Sequence, residues 1–467
     1  MSAERIAGDV CVVGGGPAGL SAALAAREAG ATVHLLDLFE RPGGQYFMQP
    51  AAGAHGPAKR QIREGAALIE RVRAAGVIIH GEAEVFGAYG DPVIFARAGG
   101  RALTLRPRAV VLATGAHDRV APFPGWTLPG VMTPGAAQRL VKLHGTLPGR
   151  RVVLAGSGPF LMVVAGQLRA AGCDVLRIVE AAPSPARLLA GIARHPGRWA
   201  EAARLLAPVA PLASRFRFGR LVTAAGGDGR VERVTIAPLG SDGLPLTAKA
   251  ETIEGVDALL IGQGFRPQVE VARLFGCAID FDQDAGGHHV RVDRASGATT
   301  VTGVFAAGEV TGVAGARPAL AGGRIAGLSA ARHAGRPASE GDLTAFEHAL
   351  DFALMLRRAY RLPYAALGSL ADAETLLCRC EEVSAGDVDS ALAEGARDAA
   401  GIKLWTRAGM GPCQGRQCGF GLGLHLCAKA GIDPAAFGAN PSRFPARPVP
   451  LSIVAEALSA DEPPAAP

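Results

Sequence analysis

The chain has no apolar run long enough to cross a membrane without interruption. Its most apolar stretch, Val152 to Leu168, is broken by Gly156, Ser157, Gly158 and Pro159. It reads as strand–turn–helix, not as a span of about 20 apolar residues. No signal peptide is expected either: Met1 to Gly8 is short and of mixed polarity, and a strand-like run, Asp9 to Val13, follows at once. Lys and Arg form no block, so the formal net charge of +6 is scattered, which excludes a nucleic-acid patch. That charge favours an acidic partner or a nucleotide without naming either. Eight cysteines in a long chain in which no secretory leader is expected favour metal binding or packing over a disulfide framework. Reduced thiols in a cytoplasmic setting, packed or metal-bound, are expected instead.

What the sequence does have is glycine, 63 residues without a collagen-like period, gathered where apolar runs end. With 467 residues, 49% of them hydrophobic, two or three domains are expected. Val10 to Val13, Leu20 to Ala29 and Thr32 to Leu36 read as strand, helix and strand. Val152 to Ala155, Leu161 to Ala171 and Val175 to Val179 repeat the pattern. Unbroken apolar strands suit a parallel sheet covered on both faces. Further strands at Val110 to Thr114, Ala258 to Ile261 and Val304 to Ala307 fit a chain that returns to its first domain after the second. The expected fold is α/β, with two Rossmann-like dinucleotide-binding domains and a small helical domain after them. The expected boundaries are 1–120 with 290–335 for the first domain and 121–289 for the second. A helical connector, stopped by Pro363, takes 336–371, and a cysteine-bearing domain 372–433. Residues 434–467 form a Pro/Ala-rich tail with an expected disordered end.

Gly14-Gly15-Gly16-Pro17-Ala18-Gly19 places glycines at the G-x-G-x-x-G positions Gly14, Gly16 and Gly19. Gly14 permits the tight turn, Gly16 lets the backbone approach a pyrophosphate, and Gly19 lets the helix pack close to the strand. The helix opened by Pro17 and Ala18 then presents its N–H groups to the phosphates. Asp37, ending the next strand, can accept the ribose hydroxyls. The motif alone does not choose FAD over NAD. However, Arg41-Pro42-Gly43-Gly44-Gln45 resembles the flavin-side loop of the glutathione-reductase and thioredoxin-reductase superfamily. Thr114-Gly115 resembles its second flavin motif, and Val304 to Glu309 the Gly-Asp motif that reaches the ribityl chain. The resemblance implies FAD, with Gly44, Gln45, Thr114, Gly115, Gly308 and Glu309 among its contacts; Glu309 replaces the usual Asp and is one methylene longer.

The second turn, Gly156-Ser157-Gly158-Pro159-Phe160-Leu161, keeps two glycines and loses the third. Leu161 should push the helix from the strand unless a small residue compensates. Glu180 ends the following strand and could hold a ribose; no Arg follows it to welcome a 2′-phosphate, which disfavours NADP. A second adenine nucleotide bound at Gly156, Gly158 and Glu180 and a vestigial domain kept for packing both remain open.

Cys378-Arg379-Cys380 and Cys413-Gln414-Gly415-Arg416-Gln417-Cys418 make C-x-C followed by C-x4-C. Four thiolates are a ligand set for a [2Fe–2S] cluster, with structural zinc and buried free thiols as the plainer alternatives. Ser384 and Asp387 have capping-box spacing, so a helix should separate the pairs, and Cys413 to Cys418 should open another. Gly411, Gly415 and Gly419 let N–H groups approach sulfur; Arg379, Lys403, Arg407 and Arg416 can offset an anionic cluster. Cys11, Cys173, Cys277 and Cys427 are expected in the core.

The cysteine module resembles the bacterioferritin-associated ferredoxin type of [2Fe–2S] domain. Joined to the flavin motifs, and with Gly409 to Cys418 and Pro445 to Leu451, it resembles the flavoprotein (alpha) subunits of heteromeric bacterial amino-acid and opine dehydrogenases. That group includes the B subunits of hydrogen cyanide synthases, the A subunits of opine oxidases and the alpha subunits of D-hydroxyproline dehydrogenases. The resemblance covers essentially the whole chain. It implies a beta subunit with its own FAD that oxidises a C–N bond, and a small [2Fe–2S] gamma subunit. It also implies a cytoplasmic complex, any membrane contact being peripheral to the inner membrane through the electron acceptor. No cysteine lies between Cys11 and Cys173 and none makes C-x-x-C, so thiol–disulfide chemistry is not expected. His117, His144, His288 and His289 are catalytic candidates by residue type only, and no catalytic residue is assigned. A stand-alone NAD(P)H-dependent reductase and an iron-handling scaffold are the competing readings.

Overall fold

The strand Glu4–Val13 is polar in its first half and apolar at Val10–Val13, and it is continuously buried from Asp9 onward. It lies in the middle of a seven-stranded sheet, parallel to Val33–Leu36 on one side and to Arg101–Leu112 on the other. Ile78–His80 extends the parallel edge. Val93–Ala98 and Glu84–Tyr89 add an antiparallel edge, and Val304–Ala306 returns to pair in parallel with Arg101–Leu112. The computed structural model describes residues 4–50, 59–436 and 442–459. Helices Pro17–Glu28 and Ala316–His333 cover one face at very close range. A Cβ at Gly323 or Gly327 would meet the carbonyl oxygen of Ala18 or Ala22 at 2.2 Å, so the seam requires glycine.

A second sheet is wholly parallel, in the order Phe216–Phe218, Asp174–Glu180, Arg151–Gly156, Ala258–Gly262 and Val131–Met132. The antiparallel strands Arg220–Gly226, Arg233–Pro238 and Glu251–Glu254 form a separate sheet. Its Val222, Val234 and Ile236 pack on Val153 and Leu259 of the parallel one. The expected boundary at 289/290 comes too late. Val269, Ala272, Phe275, Cys277 and Val290 share a core with Cys11, Val13 and Val110 of the first sheet. The chain therefore crosses back near Gly264, where Phe265–Pro267 pairs with Ala116–Asp118.

The connector helix, Leu343–Ala359, is capped by Asp342 and ends before Pro363. It docks firmly: Leu356, Ala359 and Tyr360 share a core with Leu154, Met162 and Leu188 of the second domain. Beyond it, helices Ala385–Ala393, Ala399–Thr406 and Cys418–Ala430 enclose a small core of Leu377, Val388, Ile402, Leu422 and Leu426. The capping box at Ser384 and Asp387 is present. The tail is more than a Pro/Ala-rich extension. Phe444 packs against Phe86, Tyr89 and Phe95, and helix Leu451–Ser459 buries Ile453 and Ala457 in the same cluster. The expected disordered end falls in 460–467, outside the described residues. Among the described residues no helix is long and apolar enough to cross a membrane.

Candidate functional site

A cavity of about 1410 Å³ runs from the first glycine turn to the second domain and the connector. It exceeds the usual small-molecule pocket and suits an extended dinucleotide. The glycines of the first turn are sterically required: a Cβ at Gly19 would lie 1.7 Å from the oxygen of Gly14, and one at Gly14 2.3 Å from that of Ala113. Gly16 opens helix Pro17–Glu28 in extended conformation, and Leu20 N–H bonds to Gly16 O at 2.9 Å. Gly44, at φ 58°, closes over this turn; a Cβ there would meet Gly16 Cα at 2.8 Å. Asp37 accepts from Gly15 N–H at 2.5 Å and from Phe39 N–H at 2.8 Å. It remains in the cavity wall, and burial raises its carboxyl above the usual range.

Thr114 and Gly115 follow strand Arg101–Leu112 and line the cavity. Thr114 Oγ1 donates to Gln268 O at 2.6 Å, and Gln268 Nε2 returns a bond to Thr114 O at 3.0 Å. Gly308, at φ 80°, backs onto Ala18. Glu309 lines the cavity but turns its carboxylate to the N–H groups of Ala314 and Gly315, at 3.1 and 2.5 Å. The extra methylene thus braces the loop that opens helix Ala316–His333.

At the second turn Glu180 is folded into the turn itself. Its oxygens accept from Gly158 N–H at 3.1 Å and Ala182 N–H at 3.0 Å, and burial pushes its carboxyl up to about 7. Ser157 Oγ donates to Tyr360 O of the connector at 3.3 Å. Leu161 is buried, and Gly158 takes φ 117°.

The four cysteines meet on the far side of the cavity wall. Cys378 and Cys380 sulfurs lie 3.9 Å apart, and Cys380 and Cys413 sulfurs 3.8 Å apart. Hydrogen bonding from Cys418 holds the Cys378 and Cys413 thiols down, to about 5 and about 4, while Cys418 itself is raised. Gly409 N–H points at Cys378 Sγ at 3.5 Å. A Cβ at Gly411 would strike Cys380 Sγ at 2.5 Å, so glycine is needed beside that sulfur. Burial and its neighbouring thiols raise Cys380 to about 11, so two lowered and two raised thiols stand together with backbone donors, a donor set that suits an anionic metal cluster. The loop Cys413–Cys418 leads directly into helix Cys418–Ala430, as its sequence predicts.

Residues 8–335 match the family described as pyridine nucleotide-disulphide oxidoreductase, and residues 376–420, which contain all four cysteines, match the BFD-like [2Fe-2S] binding domain. The chain belongs to the pyridine nucleotide-disulphide oxidoreductase family. Along nearly its whole length it is also similar to hydrogen cyanide synthase subunit HcnB of Pseudomonas aeruginosa, at 33% identity over 94% of this chain and 97% of the relative. The A subunit of the opine oxidase of Agrobacterium tumefaciens is 31% identical, over 96% of this chain and 91% of the relative. In fold, the L-proline dehydrogenase of P. horikoshii superposes with a TM-score of 0.71 at 22% identity, covering 97% of this chain and 80% of the other. As an oxidoreductase of this family with a BFD-like domain, the chain has FAD and a [2Fe–2S] cluster as its cofactors.

Within this family frame, several expected residues stand elsewhere. Cys11, Cys173 and Cys277 are buried, but Cys427 is exposed near the end of its helix. Arg379 lies over the Trp126 ring at 5.4 Å, and Arg407 donates to Glu381 at 2.9 Å. Of the histidines among the described residues, His117 alone lines the cavity, as a donor to Arg416 O at 3.3 Å. His288 bonds to Ala435 O. Sequence reading missed Lys142, buried in the cavity wall with its amine on Gln61 Oε1 at 2.9 Å and pushed down to about 8 by burial. Gln138 and Lys142 share a helix face at i, i+4 beside buried Ala137 and Val141, a readable signal for polar groups turned inward.

Proposed function

We propose that this chain is the electron-transfer subunit of a heteromeric dehydrogenase or oxidase. In this reading an FAD-containing beta subunit oxidises the C–N bond of an amino acid, hydroxyproline or opine, and a small [2Fe–2S] gamma subunit is a further partner. The observation that carries it is the shared wall: Gln417, one residue before Cys418, lines the same cavity as Gly14, Gly16 and Gln45. Among the described residues no cysteine lines that cavity, so the thiol pair a disulfide reductase needs is missing. Similarity along the full chain to named subunits of two enzymes supports the existence of a partner.

In this reading Gly14, Gly16, Pro17, Ala18 and Gly19 hold the FAD pyrophosphate, with Asp37 toward the ribose. Gly44, Gln45, Thr114, Gly115, Gly308 and Glu309 wall the rest. Cys378, Cys380, Cys413 and Cys418 hold the cluster. Bound there, the flavin supplies two-electron and the cluster one-electron redox chemistry. The chain's own work is to exclude thiols, keep the two sites adjacent and brace the turns. The test is anaerobic co-purification with a flavoprotein partner, followed by flavin, iron and sulfide analysis. A partner-free chain that oxidises amines by itself, or a zinc-filled cysteine site, overturns the reading. Cys413→Ser should abolish the iron and keep the flavin.

A further inference from the structure

The loop between Cys413 and Cys418 is gripped from the flavin side at one atom. Arg416 O accepts from Arg266 Nη1 at 2.7 Å and from His117 Nε2 at 3.3 Å. Arg266 lies on the short link strand Phe265–Pro267 and His117 on its partner strand, Ala116–Asp118. Their neighbours Gly115, Ala116, Gly264 and Phe265 line the cavity. The Arg416 side chain is buried and donates to Ala446 O of the tail at 3.0 Å, and Arg447, next along, lines the cavity again. Four guanidiniums, Arg266, Arg273, Arg416 and Arg447, thus collect around one carboxylate, Glu270, which stands 3.8 Å from Arg266. A buried excess of positive charge is costly unless something anionic lies near. The four-thiolate loop is on one side and the cavity on the other.

We propose that the Arg416–Gln417 backbone, clamped by His117 and Arg266, is the junction through which electrons pass between the flavin cavity and the cysteine loop. This rests on the reading that both sites hold their cofactors. Each transfer moves one electron: one centre is oxidised and the other reduced by one. Complete turnover of the flavin takes two transfers, and its protons exchange with the water of the cavity. Between transfers the cluster exchanges its electron with an outside one-electron carrier at the exposed Cys380 edge. His117 and Arg266 are positioning residues; they hold the carbonyl and thereby the ligand loop.

The test uses the holoprotein. After flash photoreduction, electron equilibration between flavin and cluster is followed by visible absorbance and by the cluster's EPR signal, with ferricenium as the outside acceptor. His117→Phe and Arg266→Met should each slow equilibration about tenfold, equivalent to about 1.4 kcal/mol of barrier, at unchanged flavin and iron content. His117→Gln, which keeps a donor for Arg416 O, should restore most of the rate. Arg266→Met should also move the cluster midpoint potential to more negative values, because a positive charge that favours the reduced form is lost; His117→Phe should not. If Arg266→Met fails to fold because Glu270 is stranded, Arg266→Met combined with Glu270→Gln replaces it. Wild-type rates in both variants with full cofactor content overturn the junction alone. A wild-type protein without a cluster, or without internal transfer, overturns the functional reading and the junction with it.

Discussion

The two glycine turns share their first, third and fourth residues, and the difference that counts most is at the sixth. At the first, Gly19 sits where a Cβ would be 1.7 Å from Gly14 O, and Gly16 stays extended at φ −76°. At the second, Leu161 occupies that place, and the turn opens: Gly158 swings to φ 117°, and Leu161 N–H bonds to Gly158 O at 3.2 Å. The carboxylates follow suit. Asp37 takes Gly15 N–H, whereas Glu180, one methylene longer, reaches the next glycine and takes Gly158 N–H. That donor stands where a pyrophosphate would need it. The connector's Tyr360 then takes up Ser157. The lesson is that keeping two glycines of three preserves the shape of a turn while its donors are spent internally.

The strongest way to break this contrast is to exchange the deciding residues. Gly19→Ala should abolish flavin retention outright, read as loss of visible absorbance after gel filtration, because the new Cβ collides with backbone that cannot yield. Leu161→Ala should leave flavin content unchanged and destabilise the chain by about 3–5 kcal/mol in denaturant titration, through the cavity left in a buried site. Flavin loss in Leu161→Ala, or retention in Gly19→Ala, would reverse the roles assigned to the two turns.

The first turn was legible because its chemistry sits in six contiguous residues followed by an acid. The four cysteines were legible for the same reason, in two short clusters. What escaped is non-local. His117 and Arg416 are 299 positions apart, and Ser157 and Tyr360 are 203, so no spacing announces their contact. Cys427 was misplaced because it follows the mostly apolar, wholly buried stretch Leu422 to Leu426, yet it starts the last helical turn, 427–430, which is exposed throughout. The domain boundary slipped because the return to the first core is made by a short helix, capped by Phe275, and a short hairpin, 279–290, ending at Val290, rather than by a long strand.

A medium effect should appear at Glu180, whose folded-state carboxyl is raised from the usual 4.5 to about 7 by burial. Between these values the folded chain keeps a proton that the unfolded chain has lost. Stability therefore falls as pH rises through this window and stays lower above it. Glu180→Gln cannot titrate, so its stability relative to wild type should improve by roughly 2–3 kcal/mol from pH 5 to pH 8.5. Urea unfolding of both proteins at the two pH values measures this. A pH-independent difference would mean that Glu180 is ionised throughout and free to face a ligand.

The smallest expected effect is the sharpest on function. A ligand at a hundred times its Kd adds about 2.7 kcal/mol of stability, which moves the melting temperature by several degrees even in a large domain. Excess NADH or NADPH added to the holoprotein should instead leave the melting temperature within about 1 °C, the flavin staying oxidised under anaerobic conditions. The physical ground is that Gly158 N–H already serves Glu180 and Ser157 already serves Tyr360. A nucleotide would have to break both bonds and lift the connector, which is packed through Leu356 and Ala359. Flavin bleaching by either nucleotide would restore the stand-alone reductase reading. A melting shift without bleaching would mark the second turn as an adenine-nucleotide site with no part in hydride transfer, and only then would the two turns count as functional equals.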